Sequence, residues 1–143
     1  MTATQTTPPH SGWTRSGLPS GFIFAAPNED RKWQGARFQF VLESPPKVPG
    51  ELSYKSVLQR ISDSGAAVTQ QSYRVVGSTL TLMTTEAHKN GSSAKSYWQI
   101  LDENGEKCLV QVSLFHANRD RLDDPVAKVL MDRVLASVKF KKP

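Results

Sequence analysis

The stretch of sequence that decides the fold is residues 66–116, AAVTQQSYRVVGSTLTLMTTEAHKNGSSAKSYWQILDENGEKCLVQVSLFH. Within it, segments of alternating apolar and polar residues are typical of half-buried strands. The segments are Ala66–Val75, Thr79–Glu86, Ala94–Leu101 and Lys107–Phe115. The pairs between them, Gly77-Ser78, Asn90-Gly91 and Asn104-Gly105, accept the positive φ angles of tight hairpin turns. The stretch therefore predicts a meander of consecutive antiparallel strands.

Two shorter segments with strand character precede this meander. Gly21–Ala25 is predicted to be a short strand that ends before Pro27, and Ala36–Glu43 alternates between aromatic or aliphatic and polar residues. Residues 44–50 contain several prolines, which cannot donate to a strand ladder, and are predicted to be a loop.

A helical pattern lies between this loop and the meander. Its apolar stripe comprises Tyr54, Val57, Leu58 and Ile61. This i, i+3, i+4, i+7 spacing is typical of one face of an amphipathic helix. Ser53 is a suitable N-cap and Gly65 a suitable stop, so the sequence predicts a helix from Ser53 to Ser64.

A second helical pattern follows the meander. Asp123 or Asp124 is its predicted N-cap, and Pro125 stands at the first helical position, where its missing N–H costs nothing. We expect its buried stripe to comprise Val126, Ala127, Val129, Leu130 and Val134. Val138–Phe140 is predicted to be a short closing segment at a sheet edge.

The predicted order is β-β-α-β-β-β-β-α, which defines an α+β fold with an antiparallel sheet of about six strands and helices packed on it. Residues 1–20 are rich in threonine and proline without periodicity, and are predicted to be a flexible tail. Residues 21–143 are predicted to be a single domain. In it, Leu58 and Ile61 of the first helix and Val129 and Leu130 of the second should be buried against the sheet.

Composition excludes several classes of protein. The net charge of +5 is spread over both halves of the chain without a basic helix or aromatic RNA-binding motif, so nucleic-acid binding is not expected. No apolar run is long enough to span a bilayer. No export segment is visible, so we expect a cytoplasmic protein, although export of a processed form stays open. Cys108, the single cysteine, alternates in phase with Val110 and is predicted to be a small buried apolar residue.

No catalytic or metal-binding motif stands in this sequence. A phosphate-binding loop, a nucleophile elbow, an H-E-x-x-H pair and paired cysteines are all absent. The histidines His10, His88 and His116 lie in the tail, beside a turn and at a strand end, without metal-ligand spacing. We therefore expect neither an enzyme nor a bound metal or cofactor.

The two faces of the predicted meander differ in composition. Its core face is predicted to comprise Val68, Leu80, Leu82, Trp98, Ile100, Val110, Val112 and Leu114. The opposite face is nearly free of charge and mixes aromatic, methionine and small polar side chains, which is typical of a protein interface. The predicted partner-binding residues on this face are Tyr73, Met83, Tyr97, Gln99, Gln111 and Ser113. The alternative, that a helix covers this face, stays open.

The chain resembles the PsbP-like superfamily, an antiparallel α/β/α sandwich shared with DcrB-type bacterial proteins. The resemblance covers residues 21–140 and depends on the opening FIFAAP at residues 22–27, the helix Ser53–Ser64 and the closing VLASVKF at residues 134–140. It implies a non-enzymatic protein-binding domain of bacterial origin. The implied partner is an effector or a toxin. The implied role is a secretion-associated adaptor or chaperone, like the Eag chaperones of type VI secretion. An immunity protein, which plugs a toxin, fits a small basic cytosolic domain about as well.

An alternative of a different class is a small-molecule-binding domain, or an enzyme without a recognised motif, with a pocket between the sheet and a helix. A closed cavity with convergent polar groups would favour a small ligand, whereas an open surface would favour a protein. Oligomeric state does not follow from the sequence.

Overall fold

The computed structural model describes residues 7–43, 52–103 and 105–138. Its strands are β1 (Thr14–Leu18), β2 (Gly21–Ala25), β3 (Arg37–Glu43), β4 (Ala67–Val76), β5 (Thr79–Ala87), β6 (Ser93–Glu103) and β7 (Glu106–His116). Its helices are α1 (Tyr54–Asp63), α2 (Pro125–Ser137) and a 3-10 helix (Arg119–Asp123) that precedes α2. The strands form one antiparallel sheet of seven strands in the order β1-β2-β3-β7-β6-β5-β4. The predicted α+β class is confirmed, with one strand more than expected.

The additional strand lies in the segment predicted to be a flexible tail. β1 pairs along the free edge of β2, and Trp13 just before it is buried, with its ring 5.8 Å from that of Trp33. The prediction of a flexible tail over residues 1–20 is therefore wrong for the segment from Trp13 to Leu18. Pairing with β2, which follows after only Pro19 and Ser20, outweighs a local composition that favours disorder. Residues 1–6 lie outside the described residues.

α2 packs on one face of the sheet, here called the α2 face. Asp124 caps the helix by accepting a hydrogen bond from the N–H of Ala127 at 3.0 Å, and Pro125 follows, as predicted. Val126 and Val129 are about half exposed, so their predicted burial is wrong. The helix is apolar around much of its circumference, and packing selects a stripe that includes two apolar residues the prediction omitted. The buried residues are Ala127, Leu130, Met131, Val134 and Leu135.

α1 packs on the opposite face, here called the α1 face. The side chain of Ser53 accepts a hydrogen bond from the N–H of Ser56 at 3.1 Å and begins the helix, and Gly65 follows its end with φ of +89°. Val57 and Ile61 are buried, and Leu58 is half-buried against them. The predicted helix, its cap and its buried face are confirmed.

The register between β6 and β7 corrects the predicted core face. Tyr97 lies directly opposite Val112, and Trp98 lies opposite Gln111. Directly opposed residues in an antiparallel pair share a face. Val110, Val112 and Leu114 therefore belong to the α2 face, whereas Leu82, Trp98 and Ile100 belong to the α1 face. The predicted core face combined residues from both, because helices cover both faces and apolar residues of neighbouring strands need not share a side.

Two further predictions concern the closing segment and the single cysteine. Lys139 and Phe140 of the predicted closing segment lie outside the described residues. Cys108 is fully buried, as predicted, and burial raises the pKa of its thiol to about 11.

Within residues 7–43, 52–103 and 105–138, no helix combines the length and the apolar character needed to cross a bilayer.

Candidate functional site

The six residues predicted to form a partner-binding platform are divided between the two faces. Met83, Tyr97 and Gln99 lie on the α2 face, and Tyr73, Gln111 and Ser113 lie on the α1 face. Tyr97, Gln99 and Ser113 are also buried, with at most 3% of their surface exposed. The prediction that these residues form one exposed platform is therefore wrong, for the same reason of register as the predicted core face. Only Tyr73 is exposed to about half of its surface.

The buried polar residues of the former platform have partners inside the protein. The side-chain amide of Gln99 donates to Thr81 Oγ1 at 2.9 Å and to the carbonyl of Val76 at 3.2 Å. Arg74 lies over the ring of Tyr97, with its Cζ 5.6 Å from the ring centroid. These contacts satisfy polar groups at the β5-β6 part of the sheet, which explains uncharged polar residues there without a partner protein.

The exposed functional candidate is the edge of the sheet at β4. Among the described strands, β4 pairs only with β5, and every side chain from Thr69 to Val75 is exposed. A bulge between Val68 and Gln70 interrupts the start of the strand, whereas the register from Gln70 to Val76 is regular. The outer side of this segment therefore presents backbone N–H and C=O groups that no other described strand pairs.

An apolar patch, here called the edge patch, lies on the α1 face of this edge and comprises Tyr73, Val75 and Leu80. Their side chains are 49%, 61% and 49% exposed, and Val75 lies directly opposite Leu80. The ring of Tyr54 from α1 makes an edge-to-face contact with Tyr73 at 5.8 Å. Its hydroxyl donates to the carbonyl of Leu80 and accepts from the N–H of Ile100 at 3.3 Å. The side chain of Tyr54, held by these two hydrogen bonds, thus packs against the patch and supports it.

The α2 face of the same edge carries a groove of about 730 Å³, here called the polar groove. Its lining residues include Gln70, Ser72, Arg74, Met83, Lys95, Tyr97, Lys128 and Asp132. Arg74 donates to both carboxylate oxygens of Asp132, at 2.8 and 3.3 Å, and so connects β4 to α2 across the groove. Lys95 and Lys128 both approach Asp123, at 2.9 and 3.5 Å, and the hydrogen bond from Lys95 lowers the pKa of Asp123. Three cationic side chains and one carboxylate line the groove.

A second candidate lies on the α1 face, around a buried carboxylate that the sequence analysis did not single out. Glu86 is 3% exposed, and each of its oxygens accepts a hydroxyl hydrogen bond, from Thr84 at 3.3 Å and from Ser96 at 3.0 Å. Thr84 Oγ1 in turn accepts from the indole N–H of Trp98 at 3.0 Å. Ser96 is 2.7 Å from the hydroxyl of Ser113, and this pair continues the network toward β7.

The described residues give Glu86 no cationic partner. Burial is the main cause that raises the pKa of its carboxyl from 4.5 to about 7, and the two hydroxyl hydrogen bonds oppose this effect. The carboxyl is therefore poised between its neutral and ionised forms near neutral pH. Buried groups with displaced pKa values occur both in functional sites and in structural networks.

The Glu86 carboxyl borders a cavity of about 190 Å³ between the sheet and the end of α1, here called the Glu86 cavity. Its lining residues are Arg60, Ile61, Ser64, Glu86, His88, Trp98, Gln111 and Phe115. The guanidinium of Arg60 donates to both oxygens of Glu43, at 2.7 and 2.5 Å, and its charge is thereby compensated. His88 Nε2 is buried and has no hydrogen-bond partner among the described residues. This cavity occupies the place, between sheet and helix, that the small-molecule alternative requires.

The comparisons with known proteins concern the fold alone. No protein-family profile matches the chain, and no curated protein matches its sequence. The solved structures to which it is similar include cyanobacterial PsbP (CyanoP) from Synechocystis sp. PCC 6803, at 13% identity and a TM-score of 0.51, over 89% of this chain and 81% of that one. They also include LpqN, involved in cell envelope biogenesis of Mycobacterium tuberculosis, at 17% identity and a TM-score of 0.51, over 91% and 77% of the two chains. The resemblance to PsbP-like structures predicted from the sequence is confirmed as a weak one, at the level of the fold.

Proposed function

We propose that this chain is a non-enzymatic protein-binding domain that takes up an extended segment of a partner protein along β4. The observation that carries the proposal is the unprotected edge from Gln70 to Val75. Proteins usually protect an exposed edge with lysine, proline, a bulge or a very short strand. This segment contains neither lysine nor proline, its bulge is confined to the beginning, and its only charged residue, Arg74, is held by Asp132.

The other edge of the sheet provides an internal comparison. β1 spans only Thr14–Leu18, about half the length of β4, and carries the positive charge of Arg15 among its exposed residues. Short strands and charges discourage the addition of another strand. The two edges of one sheet thus differ, and the longer edge is the one beside the apolar patch.

The surroundings of β4 define the chemistry of the partner segment. A strand added to β4 would place alternate side chains on the two faces of the extended sheet. On one side these side chains would meet the edge patch of Tyr73, Val75 and Leu80, and on the other the polar groove with its excess of positive charge. We therefore expect a partner segment that alternates apolar residues with acidic or small polar residues.

This mode of binding suits the roles that the sequence predicts. A secretion-associated adaptor or chaperone would hold a segment of an effector in this way, and an immunity protein would hold a segment of a toxin. Both roles require capture of a protein without chemistry, and both are consistent with the predicted cytoplasmic location.

The proposal is tested by charge substitution at the edge patch with a matched control. Val75→Lys places an ammonium group where the partner would exclude water, whereas Val129→Lys makes the same change at a similarly exposed valine on the outer side of α2. A photo-crosslinking residue at position 73 identifies the partner in cells, and the affinity of the purified pair is then measured by calorimetry. We expect Val75→Lys to weaken binding by about tenfold or more and Val129→Lys to leave it unchanged.

Hydrogen exchange of the purified complex adds a readout at the backbone. Backbone amides between Gln70 and Val76 should become protected when the partner binds, because its strand would pair with them. Equal binding by the two lysine variants, or protection confined to other elements, would contradict the proposal.

A further inference from the structure

We propose that the Glu86 cavity binds a short-chain primary ammonium group, with the Glu86 carboxylate as its counter-ion. The site goes beyond the binding of a strand at β4, since it lies at the other end of the α1 face and shares no residue with the edge patch. It lies between the end of α1 on one side and β5, β6 and β7 on the other.

Glu86 has an electrostatic requirement that its described partners do not fully meet. A buried carboxylate is stable only when it is paired or fully hydrogen-bonded. Its two oxygens each accept one hydroxyl hydrogen bond, from Thr84 and Ser96, although a carboxylate has acceptor sites for about four. Free acceptor capacity therefore remains on an anion that borders a cavity.

The charged residues around the cavity do not compensate Glu86. Arg60 lines the cavity, but both of its donating nitrogens are directed to Glu43. Lys89 packs over Gly65 and Arg37 lies over the ring of Phe115, and neither belongs to the cavity lining. Both are exposed, so water and salt screen their charges. The ionised Glu86 is thus the uncompensated charge in the lining, and it selects a cation.

The lining and the volume of the cavity determine the form of the cation. The remaining lining combines Ile61, Trp98 and Phe115, which favour a short apolar body and the approach of a positive charge to aromatic rings. His88 Nε2 is buried without a hydrogen-bond partner among the described residues. In the neutral tautomer that carries the ring proton on Nδ1, this nitrogen offers a second acceptor to an N–H donor. A volume of about 190 Å³ restricts the ligand to a few heavy atoms, as in an alkylammonium ion or the end of a lysine side chain.

The experiment is an NMR titration of the full chain at pH 8, where the Glu86 carboxyl with its pKa of about 7 is ionised. The indole N–H of Trp98 is the reporter, because it is joined to Glu86 through Thr84. The probes are n-butylammonium, n-butanol and n-butyrate, which share an apolar chain and differ in the charge of the end group. We expect n-butylammonium to shift the reporter saturably and to bind about tenfold or more tightly than n-butanol.

Two variants locate the interaction. Glu86→Gln preserves the shape of the side chain and should weaken n-butylammonium binding by about tenfold or more, whereas Glu29→Gln, at an exposed turn, should leave it unchanged. A fourth probe, the amide of N-acetyl-lysine, separates the two sources of the group. Tighter binding than n-butylammonium indicates a lysine side chain of a polypeptide, and weaker binding indicates a free amine.

Three results would overturn the proposal. The first is equal affinity for n-butanol and n-butylammonium, which would show that charge has no part. The second is tighter binding of n-butyrate, which would assign the cavity to anions through Arg60 and His88. The third is the absence of any saturable shift with n-butylammonium. The comparison among probes uses the unaltered protein, and it stands even where Glu86→Gln perturbs the fold.

Discussion

The two faces of the sheet meet helices in chemically different ways. The α2 face is closed by aromatic and aliphatic side chains, in which Phe40 stacks on Phe22 with centroids 5.2 Å apart and Met131 is almost completely buried. The α1 face combines an apolar cluster around Trp98 with the hydrogen-bonded network of Glu86. Where α2 covers it, the α2 face is thus stabilised mainly by apolar burial, whereas the α1 face contains a buried carboxyl that must find its partners in place.

This difference affects what each face can do besides stabilise the fold. An apolar face that fits its helix closely leaves little room for ligand chemistry, because protein interiors are packed as densely as organic crystals. A buried carboxyl with a pKa of about 7 and a cavity beside it is costly for stability alone. We therefore expect the α2 face to respond to changes in volume and the α1 face to respond to changes in charge and pH.

The largest expected effect is a truncation on the α2 face. Phe40→Ala removes a ring that is 1% exposed and leaves a cavity beside Phe22. Such truncations cost roughly 3–5 kcal/mol of the free energy of unfolding, a large share of the stability of a domain. Chemical denaturation measures the loss, and Val129→Ala, on the exposed side of α2, is the control that should change stability by less than about 0.5 kcal/mol. Similar losses in both variants would show that α2 does not close this face as described.

The next effect belongs to the α1 face and is an effect of pH. The pKa of Glu86 is raised in the folded state to about 7 from an ordinary value of 4.5, so the folded state binds the proton more tightly than the unfolded state does. This contribution to stability is complete below pH 4.5 and is lost as the pH rises through about 7. The difference in free energy of unfolding between wild type and Glu86→Gln should therefore move by on the order of 3 kcal/mol between pH 4.5 and pH 8, to the disadvantage of the wild type.

Denaturation of both proteins across this range measures the prediction. The titration of the other carboxyls is common to both proteins and cancels in the difference. A difference that stays constant from pH 4.5 to pH 8 would mean that Glu86 is ionised and compensated in the folded state. The two faces would then not differ in how the stability depends on pH.

Much of this fold could be predicted from local sequence. The β4-to-β7 segments, both helices and the caps at Ser53 and Asp124 follow from alternation, helical spacing and residue type, which act over a few neighbouring residues. β1 could not be predicted, because its stability comes from pairing with β2 and from the packing of Trp13 on Trp33. Thr14–Leu18 lacks the apolar alternation that marks a strand, and the contact between Trp13 and Trp33 joins segments whose proximity the local pattern does not reveal.

The candidate site was predicted poorly, for a reason that lies in register. A slip of one residue in the pairing of two strands moves every side chain to the other face. The predicted core face contained both Trp98 and Val112, whereas the structure pairs Tyr97 with Val112 and so places Trp98 on the other face. One signal was present and was not used: Glu86 is in phase with Leu82 along β5, and a charge at a core position often marks a site.

The smallest expected effect is a difference in coupling energy between two ion pairs, one on each face. Arg60–Glu43 on the α1 face has side chains 35% and 18% exposed, and Arg74–Asp132 beside the α2 face has side chains 44% and 39% exposed. Exposed pairs contribute little, because water screens the attraction and ordering long side chains costs entropy. Double-mutant cycles to alanine should give a coupling of about 1 kcal/mol for Arg60–Glu43 and below about 0.5 kcal/mol for Arg74–Asp132. Salt should reduce the second coupling more than the first, because partly buried pairs are screened less. Equal couplings with equal salt dependence would mean that the two faces provide the same electrostatic environment at their margins, and that the difference between them is confined to Glu86 and its network.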